Sequence, residues 1–328
     1  MFIKILLMAY LNMAARVTVG DLVFPHINSY GVDESLKDSS DKATITLARN
    51  YKEIASVKDI KTIIKPGQPV VIESGYNGSF ITEYKGYVSE GLTTDFPLEI
   101  KCDELYPLRK KNHTLSYRDI KLKELLALIA PQYKIECLDV NLGKCRFDNK
   151  SSYQVLEQIK NDYGFYSTVR DGILHVGFAY DFSASFTKEY KYIIGSNVKD
   201  YSKLKYETEK DFNTKVVVNV VMPDGKKKKF EFGSDNSDAV VKTETVTVMD
   251  DKTAKSKANA VYKMYTYDGY SGSLIAFGEL PVHAGDHIII VDKVRPEREG
   301  KYLCDKLNID FNESGITKEI FLSYKLSS

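Results

Sequence analysis

Residues 277–324 constrain the fold most tightly. FGELPVHAGDHIIIVDKVRPEREGKYLCDKLNIDFNESGITKEIFLSY reads as three β-strands joined by turns, because short apolar and alternating runs are punctuated by turn residues. Pro281, Gly285 and Asp286 form a turn that feeds the strand 287–292. A charged loop, 293–300, leads into 301–311, and Glu313, Ser314 and Gly315 turn the chain into 316–326. A similar layout recurs in the first half. There Lys65, Pro66 and Gly67 make a turn that launches 68–76, Asn77-Gly78 marks a tight hairpin, 79–90 returns, and 93–105 closes the unit. The expectation is a mainly β chain containing two related β-barrel-like modules.

Between these modules the period changes. Ile120, Leu122, Leu125, Leu126 and Ile129 recur at helical spacing until Pro131 stops the run. Residues 137–147 read as an extended excursion. Ser151 and Ser152 then cap a second amphipathic helix carrying Val155, Leu156, Ile159 and Tyr163, and Gly164 ends it. Asp171-Gly172 turns a hairpin of 165–169 and 173–178. This gives three units: a first β-barrel module at 1–104, an α+β insert at 105–185, and a second β-barrel module with one helix at 186–328. Within the first, 16–24 and 42–48 read as strands, 33–41 as a polar loop, and 51–64 as a helical piece. In the last, 190–194, 197–207, 213–222, 226–232 and 243–249 read as strands and 253–264 as the helix.

The 328 residues are enough for about two domains with cores of their own. Lysine and arginine number 46 against 45 acids, a formal net charge of +1, which argues against a general nucleic-acid binder. Tyrosine is frequent, at 23, and suits half-buried strand faces and interfaces. Cys102, Cys137, Cys145 and Cys304 form no Cys-x-x-Cys pair, and no histidine lies at a zinc spacing from them. Reduced thiols in a chain that folds in the cytoplasm are expected. Residues 1–17 superficially resemble a signal peptide, but the apolar run is too short to span a bilayer and continues into a strand at 16–20. Met8 and Met13 also fit a start codon placed too early.

Catalytic patterns are missing from the sequence: no phosphate-cradling glycine loop, nucleophile elbow or His-Glu-x-x-His occurs. His283 and His287 are four apart, yet Gly285 lies between them in a turn, so helical zinc geometry is not open to them. Asp286 reads as a turn aspartate and Asp292 as a strand end rather than a metal loop. His26 and His113 fall in polar loops and His175 in a strand, none with an evident nucleophile. The lysine run Lys226, Lys227, Lys228, Lys229 reads as a solvated hairpin tip. No catalytic, cofactor-binding or metal residue is assigned, and the chain is expected not to be an enzyme.

Taken in order, these features resemble the phage tail (baseplate) hub family, also called the late control protein D family, which includes the hub half of type VI secretion spike proteins. The stretch 41–48 (DKATITLA) is similar to the family's second strand. Gly67-Gln-Pro-Val-Val-Ile72, followed by Phe80 and Gly86-Tyr87-Val88, is similar to its hairpin. The run 122–129, Ser152-Tyr-Gln-Val-Leu-Glu157 and Tyr163-Gly164 resemble its inserted helices. Gly285-Asp286 and Gly300-Lys-Tyr302 match its second barrel. The resemblance implies a homotrimeric ring whose six modules adapt a sixfold tail tube to a threefold spike. Partners would be the tube, spike and tape-measure proteins, with DNA only passing through the channel and no membrane insertion. The setting would be a virion tail or a prophage-derived injection particle assembled in the bacterial cytoplasm. Because the chain ends just after the second module, the needle is expected to be a separate polypeptide. The charged loop 293–300, with Arg295, Arg298 and Glu299, is the first candidate for a partner contact. Two rivals remain at this point: an exported carbohydrate- or cell-surface-binding β-protein, which requires a cleaved N-terminal signal, and a tail-associated peptidoglycan hydrolase.

Overall fold

The computed structural model describes residues 12–47, 63–93, 97–178, 182–208, 213–221, 227–247, 262, 264 and 266–326. Residues 1–11, most of the helical pieces expected at 51–64 and 253–264, and Lys226 lie outside them. The first region contains β1 (Met13–Val19), β2 (Leu22–Phe24), β3 (Ser29–Ser35), β4 (Lys42–Thr46), β5 (Pro69–Tyr76), β6 (Ser79–Val88) and β7 (Glu99–Asp103). The middle contains β8 (Asn112–Tyr117), α1 (Leu122–Ile129), β9 (Lys134–Cys137), β10 (Cys145–Ser151), α2 (Ser152–Tyr163), β11 (Tyr166–Arg170), β12 (Ile173–Gly177) and a one-turn α3 (Phe182–Ser185). Next come β13 (Glu189–Ile193), β14 (Val198–Asp200), β15 (Lys205–Glu207), β16 (Thr214–Val221), β17 (Lys227–Gly233) and β18 (Val240–Thr247). The last are β19 (Gly269–Ser271), β20 (Ser273–Phe277), β21 (His287–Val291), β22 (Gly300–Asn312) and β23 (Gly315–Lys325).

The chain is mainly β with a small helical insert, and its two β-regions share one large sheet. Its order is β14-β20-β23-β22-β3-β4-β7-β6-β5-β1-β2, with β13 and β21 paired beside β22. Among the described residues no closed barrel forms, which corrects the barrel-like expectation. The physical reason is that the strands needed for closure are used elsewhere. β6 meets β7 only at Tyr87 and Val88, while β22 leaves β21 after Leu303 and takes β3 as its partner from Lys306. A single apolar core therefore runs through both regions, from Val17, Ile72 and Ile100 to Tyr192, Ile288 and Ile309.

The expected kinship of the two regions is visible as repeated strand order. β3-β4-β7-β6-β5 in the first and β14-β20-β23-β22-β21 in the second are antiparallel throughout, and each visits its positions in the same chain order. The glycine turns agree in detail. Gly67 N–H donates to Val88 O at 2.7 Å and Val88 N–H to Gln68 O at 2.9 Å; Gly285 N–H donates to Cys304 O at 2.7 Å and Cys304 N–H to Asp286 O at 2.9 Å. Both glycines sit at positive φ, +93° and +94°, where a side chain would be strained. Val88 is thus the counterpart of Cys304.

One strand departs from the sequence reading. Residues 33–41 were expected as a polar loop, yet β3 runs through Ser35 with Tyr30, Val32, Glu34 and Ser35 buried. Glycine, aspartate and serine give it little intrinsic strand preference; pairing with β4 on one side and β22 on the other supplies it.

The insert follows its sequence signals closely. Ser151 accepts from Gln154 N–H while the Gln154 side chain accepts from Ser151 N–H, a capping box, and Gly164 closes α2 in the left-handed region. Its face buries Val155, Leu156 and Ile159 completely, each contributing about 1.5–3 kcal/mol. The separate sheet β17-β16-β18 lies against the same core, with Val216, Val218 and Val220 buried among the insert's residues.

Candidate assembly interface

The turn at residues 281–286, where the sequence reading saw only a fold marker, joins three parts of the chain. Gly285 N–H pairs with β22, and the open space at its α-carbon is taken by Phe186, against which a Cβ would lie 2.4 Å away. Asp286 is fully buried and accepts from His283 N–H at 2.8 Å and from Arg170 Nη1 at 2.7 Å. Arg170 reaches from the insert strand β11, donates also to Ala284 O at 2.7 Å, and lies over the Phe186 ring at 4.3 Å. Glu34, on β3 of the first region, accepts from His283 Nδ1 at 2.9 Å and from Ala284 N–H at 3.0 Å. The Glu34 charge raises the His283 pKa, although burial opposes it. Burial would raise Glu34, but His283 and the Ala284 amide hold it below the usual range.

Asp41 and Glu104 stand beside this group. Burial pushes both carboxyls well above the usual range; the Glu34 charge pushes both further, and the Asp41 charge adds to the rise at Glu104. A cavity of about 170 Å³ opens among Glu34, Asp41, Glu83, Glu104, Arg170 and His283. Next to it lies a second, drier pair. Lys318 Nζ and Glu83 Oε2 are 2.7 Å apart with both side chains fully buried; Lys318 also donates to Leu280 O at 2.9 Å. Ser74 Oγ donates to Glu83 and receives the Tyr30 hydroxyl at 2.6 Å. Chemically, these groups balance charge across a seam between β3, β6, β11, β23 and the turn. Among the described residues no group of three or more His, Cys, Asp or Glu could hold a metal ion. Cys102, Cys137, Cys145 and Cys304 are free thiols, and burial pushes Cys102 up to about 12 and Cys304 well above its usual value.

The residues singled out in the sequence fall elsewhere. Lys227, Lys228 and Lys229 lie on β17, where Glu231 forms ion pairs with Lys229 and with Lys215, the latter at 2.9 Å. His113 lies 2.8 Å from Ser152 Oγ, and His175 packs at 4.9 Å from the Phe186 ring. Asp292 caps its own loop, accepting from the amides of Val294 and Arg295 at 3.0 Å and from the Tyr270 hydroxyl. The charged loop 293–300 is held up by a 3-10 turn at Pro296–Arg298, with Val294 87% exposed at its tip. Arg298 lies 4.9 Å over the Tyr206 ring, which brings this loop beside β15.

Sheet edges complete the surface. β13 is an edge whose bonds to β21 come from alternate residues, as Ile194 N–H to Val291 O shows. On its outer side the Asn197 side chain accepts from Ile193 N–H at 2.7 Å and donates to Lys191 O at 2.9 Å, so that edge is plugged. The β14 edge of the same sheet carries no further strand among the described residues, and Tyr201, which follows it, is half exposed.

No family model matches the chain, and no curated protein sequence matches it. Solved structures do. A tail protein from Neisseria meningitidis MC58 superposes with a TM-score of 0.59 at 16% identity, over 95% of this chain and 96% of that one. The 43 kDa tail protein of prophage MuSo2 from Shewanella oneidensis gives 0.61 at 14% identity, over 95% and 98%. An E. coli component of the type VI secretion system, described as similar to the T4 bacteriophage tail proteins gp27 and gp5, gives 0.58 at 8% identity, over 97% and 77%. The chain has the fold of phage tail proteins. That fold is shared with a type VI secretion component.

Proposed function

We propose that this chain is the structural hub of a phage tail baseplate or of a related contractile injection system. In this reading it divides at 1–104, 105–185 and 186–328, with β16–β18 leaving the last unit to complete the insert's core. Three copies form a ring that adapts a sixfold tail tube to a threefold spike, with the tape-measure protein as a further partner and DNA passing through the channel. The particle is a virion tail or a prophage-derived device, assembled in the cytoplasm. The observation that carries the reading is the repeat of five strands in one order: two like modules per chain let three chains face a sixfold partner. The fold shared with two tail proteins, over 95% of this chain, supports the setting.

The reading assigns the chain no catalysis. Sedimentation equilibrium is its test: the expected species is near 112 kDa, about three times the 37.2 kDa chain. A monomer at every concentration overturns the ring, and cell-wall turnover by purified protein overturns the non-enzymatic role. The loop 293–300 is assigned to a tube or spike contact. Alanine at Arg295, Arg298 and Glu299 together is expected to abolish co-assembly, and unchanged assembly would remove the loop from the interface.

A further inference from the structure

Around His283 the three parts of the chain are held by protons as much as by packing. The turn 281–286 is anchored at two points: Val282 is fully buried in the core, and Gly285 N–H donates to Cys304 O while Asp286 O accepts from Cys304 N–H. Between these anchors lies the tip, His283 and Ala284. It holds β3 of the first module through Glu34, which accepts from His283 Nδ1 at 2.9 Å and from Ala284 N–H at 3.0 Å. It holds the insert through Ala284 O, which accepts from Arg170 Nη2 at 2.7 Å. Both residues line the cavity of about 170 Å³, where the His283 side chain is 30% exposed and the Glu34 side chain 7%.

With its protons in place the seam is balanced. Protonated His283 faces Glu34, Arg170 faces Asp286, and Asp41 and Glu104 stay neutral because burial and the Glu34 charge raise them. The groups that face them from the surrounding elements are matched or uncharged. Glu83 of β6 is paired with Lys318 of β23, Asp103 with Arg109 and Asp305 with Lys37, and burial keeps the Tyr84 phenol and the Cys304 thiol protonated. Lys85, Lys188 and Asp171 complete the cavity wall. Loss of protons from His283, Asp41 and Glu104 therefore turns a balanced group strongly negative around Glu34. A neutral His283 can still donate from Nδ1, so that hydrogen bond does not fail by itself; the two new carboxylates are what make Glu34 costly to keep dry.

We propose that His283 and Ala284 form a pH-operated latch, closed on Glu34 in mildly acidic solution and swung outward in alkaline solution, with Val282 and Gly285 as its pivots. The movement brings water to Glu34, Asp41 and Glu104, which is the compensation that a carboxylate in a low-dielectric site lacks. It releases the turn from β3 and breaks one of the two bonds Arg170 makes to it, leaving the ion pair with Asp286. The grip of the two modules and the insert on one another thus becomes a function of pH. The latch lies within one chain and stands whether or not the chain forms a ring.

Amide-resolved hydrogen exchange of the full chain, corrected for the intrinsic rise of exchange with pH, reads the latch directly, because Ala284 N–H is bonded to Glu34 and the next amide, Gly285, to Cys304 O. Between about pH 6 and pH 8 the protection of Ala284 is expected to fall at least about tenfold, with Gly285 at least about tenfold better protected at the upper value. Asp41→Asn combined with Glu104→Gln, which cannot ionise, is expected to remove most of the fall. Either substitution alone, expected to shrink it, takes the place of the pair if the double variant does not fold. Ala284 protection that does not change with pH, or that falls together with Gly285 to the same level, overturns the latch. A fall that persists undiminished in the substituted chains overturns it too.

Discussion

Lys318 is the residue whose removal the structure predicts most sharply. Its ammonium is fully buried, 2.7 Å from an equally buried Glu83 carboxylate, and β23 is pinned on both sides by Ala276 and Ile309, so neither charge can turn to water. Lys318→Met keeps the chain length and deletes the charge. Glu83 then retains only the Ser74 hydroxyl at 3.1 Å, and breaking one side of a buried pair costs about 3–5 kcal/mol. The carboxyl can escape by taking up a proton, and that gives the loss a pH signature. Burial already raises its pKa above the ordinary 4.5 with Lys318 present, and without Lys318 it rises further. The folded chain then holds a proton that the unfolded chain releases, so stability falls with rising pH, by up to about 1.4 kcal/mol per unit. Urea unfolding followed by circular dichroism at about pH 6 and pH 8 reads both effects, with the slope checked for constancy. Glu83→Gln added to Lys318→Met removes the stranded charge and lets the amide accept from Ser74. It is expected to recover all but about 1–2 kcal/mol and to return the pH slope to that of the parent. A loss relative to the parent below about 1 kcal/mol in Lys318→Met, the same at both pH values, would refute the argument.

Three further outcomes follow from the geometry. His283 is raised by Glu34, so its contribution is complete below its ordinary 6.5 and is lost as pH rises through the folded value; Asp41 and Glu104, raised by burial, add to the decline for as long as the folded chain keeps them protonated, beside the Arg170–Asp286 ion pair. His283→Gln is therefore expected to flatten the fall in stability between about pH 6 and pH 8, and an unchanged slope counts against this assignment. Gly285→Ala places a Cβ 2.4 Å from Phe186 at φ +94°, and an unfolding free energy lowered by at least about 1–3 kcal/mol is expected from urea titration. Ser151→Ala opens the capping box of α2 and should cost about 1 kcal/mol, read in the same titration.

How much of this was legible in the sequence depends on how far apart the partners are. The cap at Ser151, the stop at Gly164 and the hairpins at Asn77-Gly78 and Asp171-Gly172 are local devices, and each turn residue sits at the positive φ its type favours. The glycine turns before β5 and β21 were legible for the same reason. β3 was not, because its strand character comes from two neighbours rather than from its own Ser, Gly and Asp. The seam was hidden more deeply. Glu34 and His283 lie 249 residues apart and Glu83 and Lys318 lie 235 apart, and nothing in the local composition of either end distinguishes them from surface charges. Of its members, the sequence reading weighed His283 and Asp286 as metal ligands and set them aside; their actual partners are Glu34 and Arg170. Val216, Val218 and Val220 show the correct strand period, but a period of two says which face is buried and not against what.

The repeat also shows what holds its internal junction. Within the chain, β3 is fixed to the second module by more than backbone pairing, since Glu34 must meet His283 and the Ala284 amide. A register slip of one residue would turn Glu34 to the other face and strand its charge. At the counterpart of Glu34 the second module has Tyr206, covered by Arg298 and set edge-on against Tyr270.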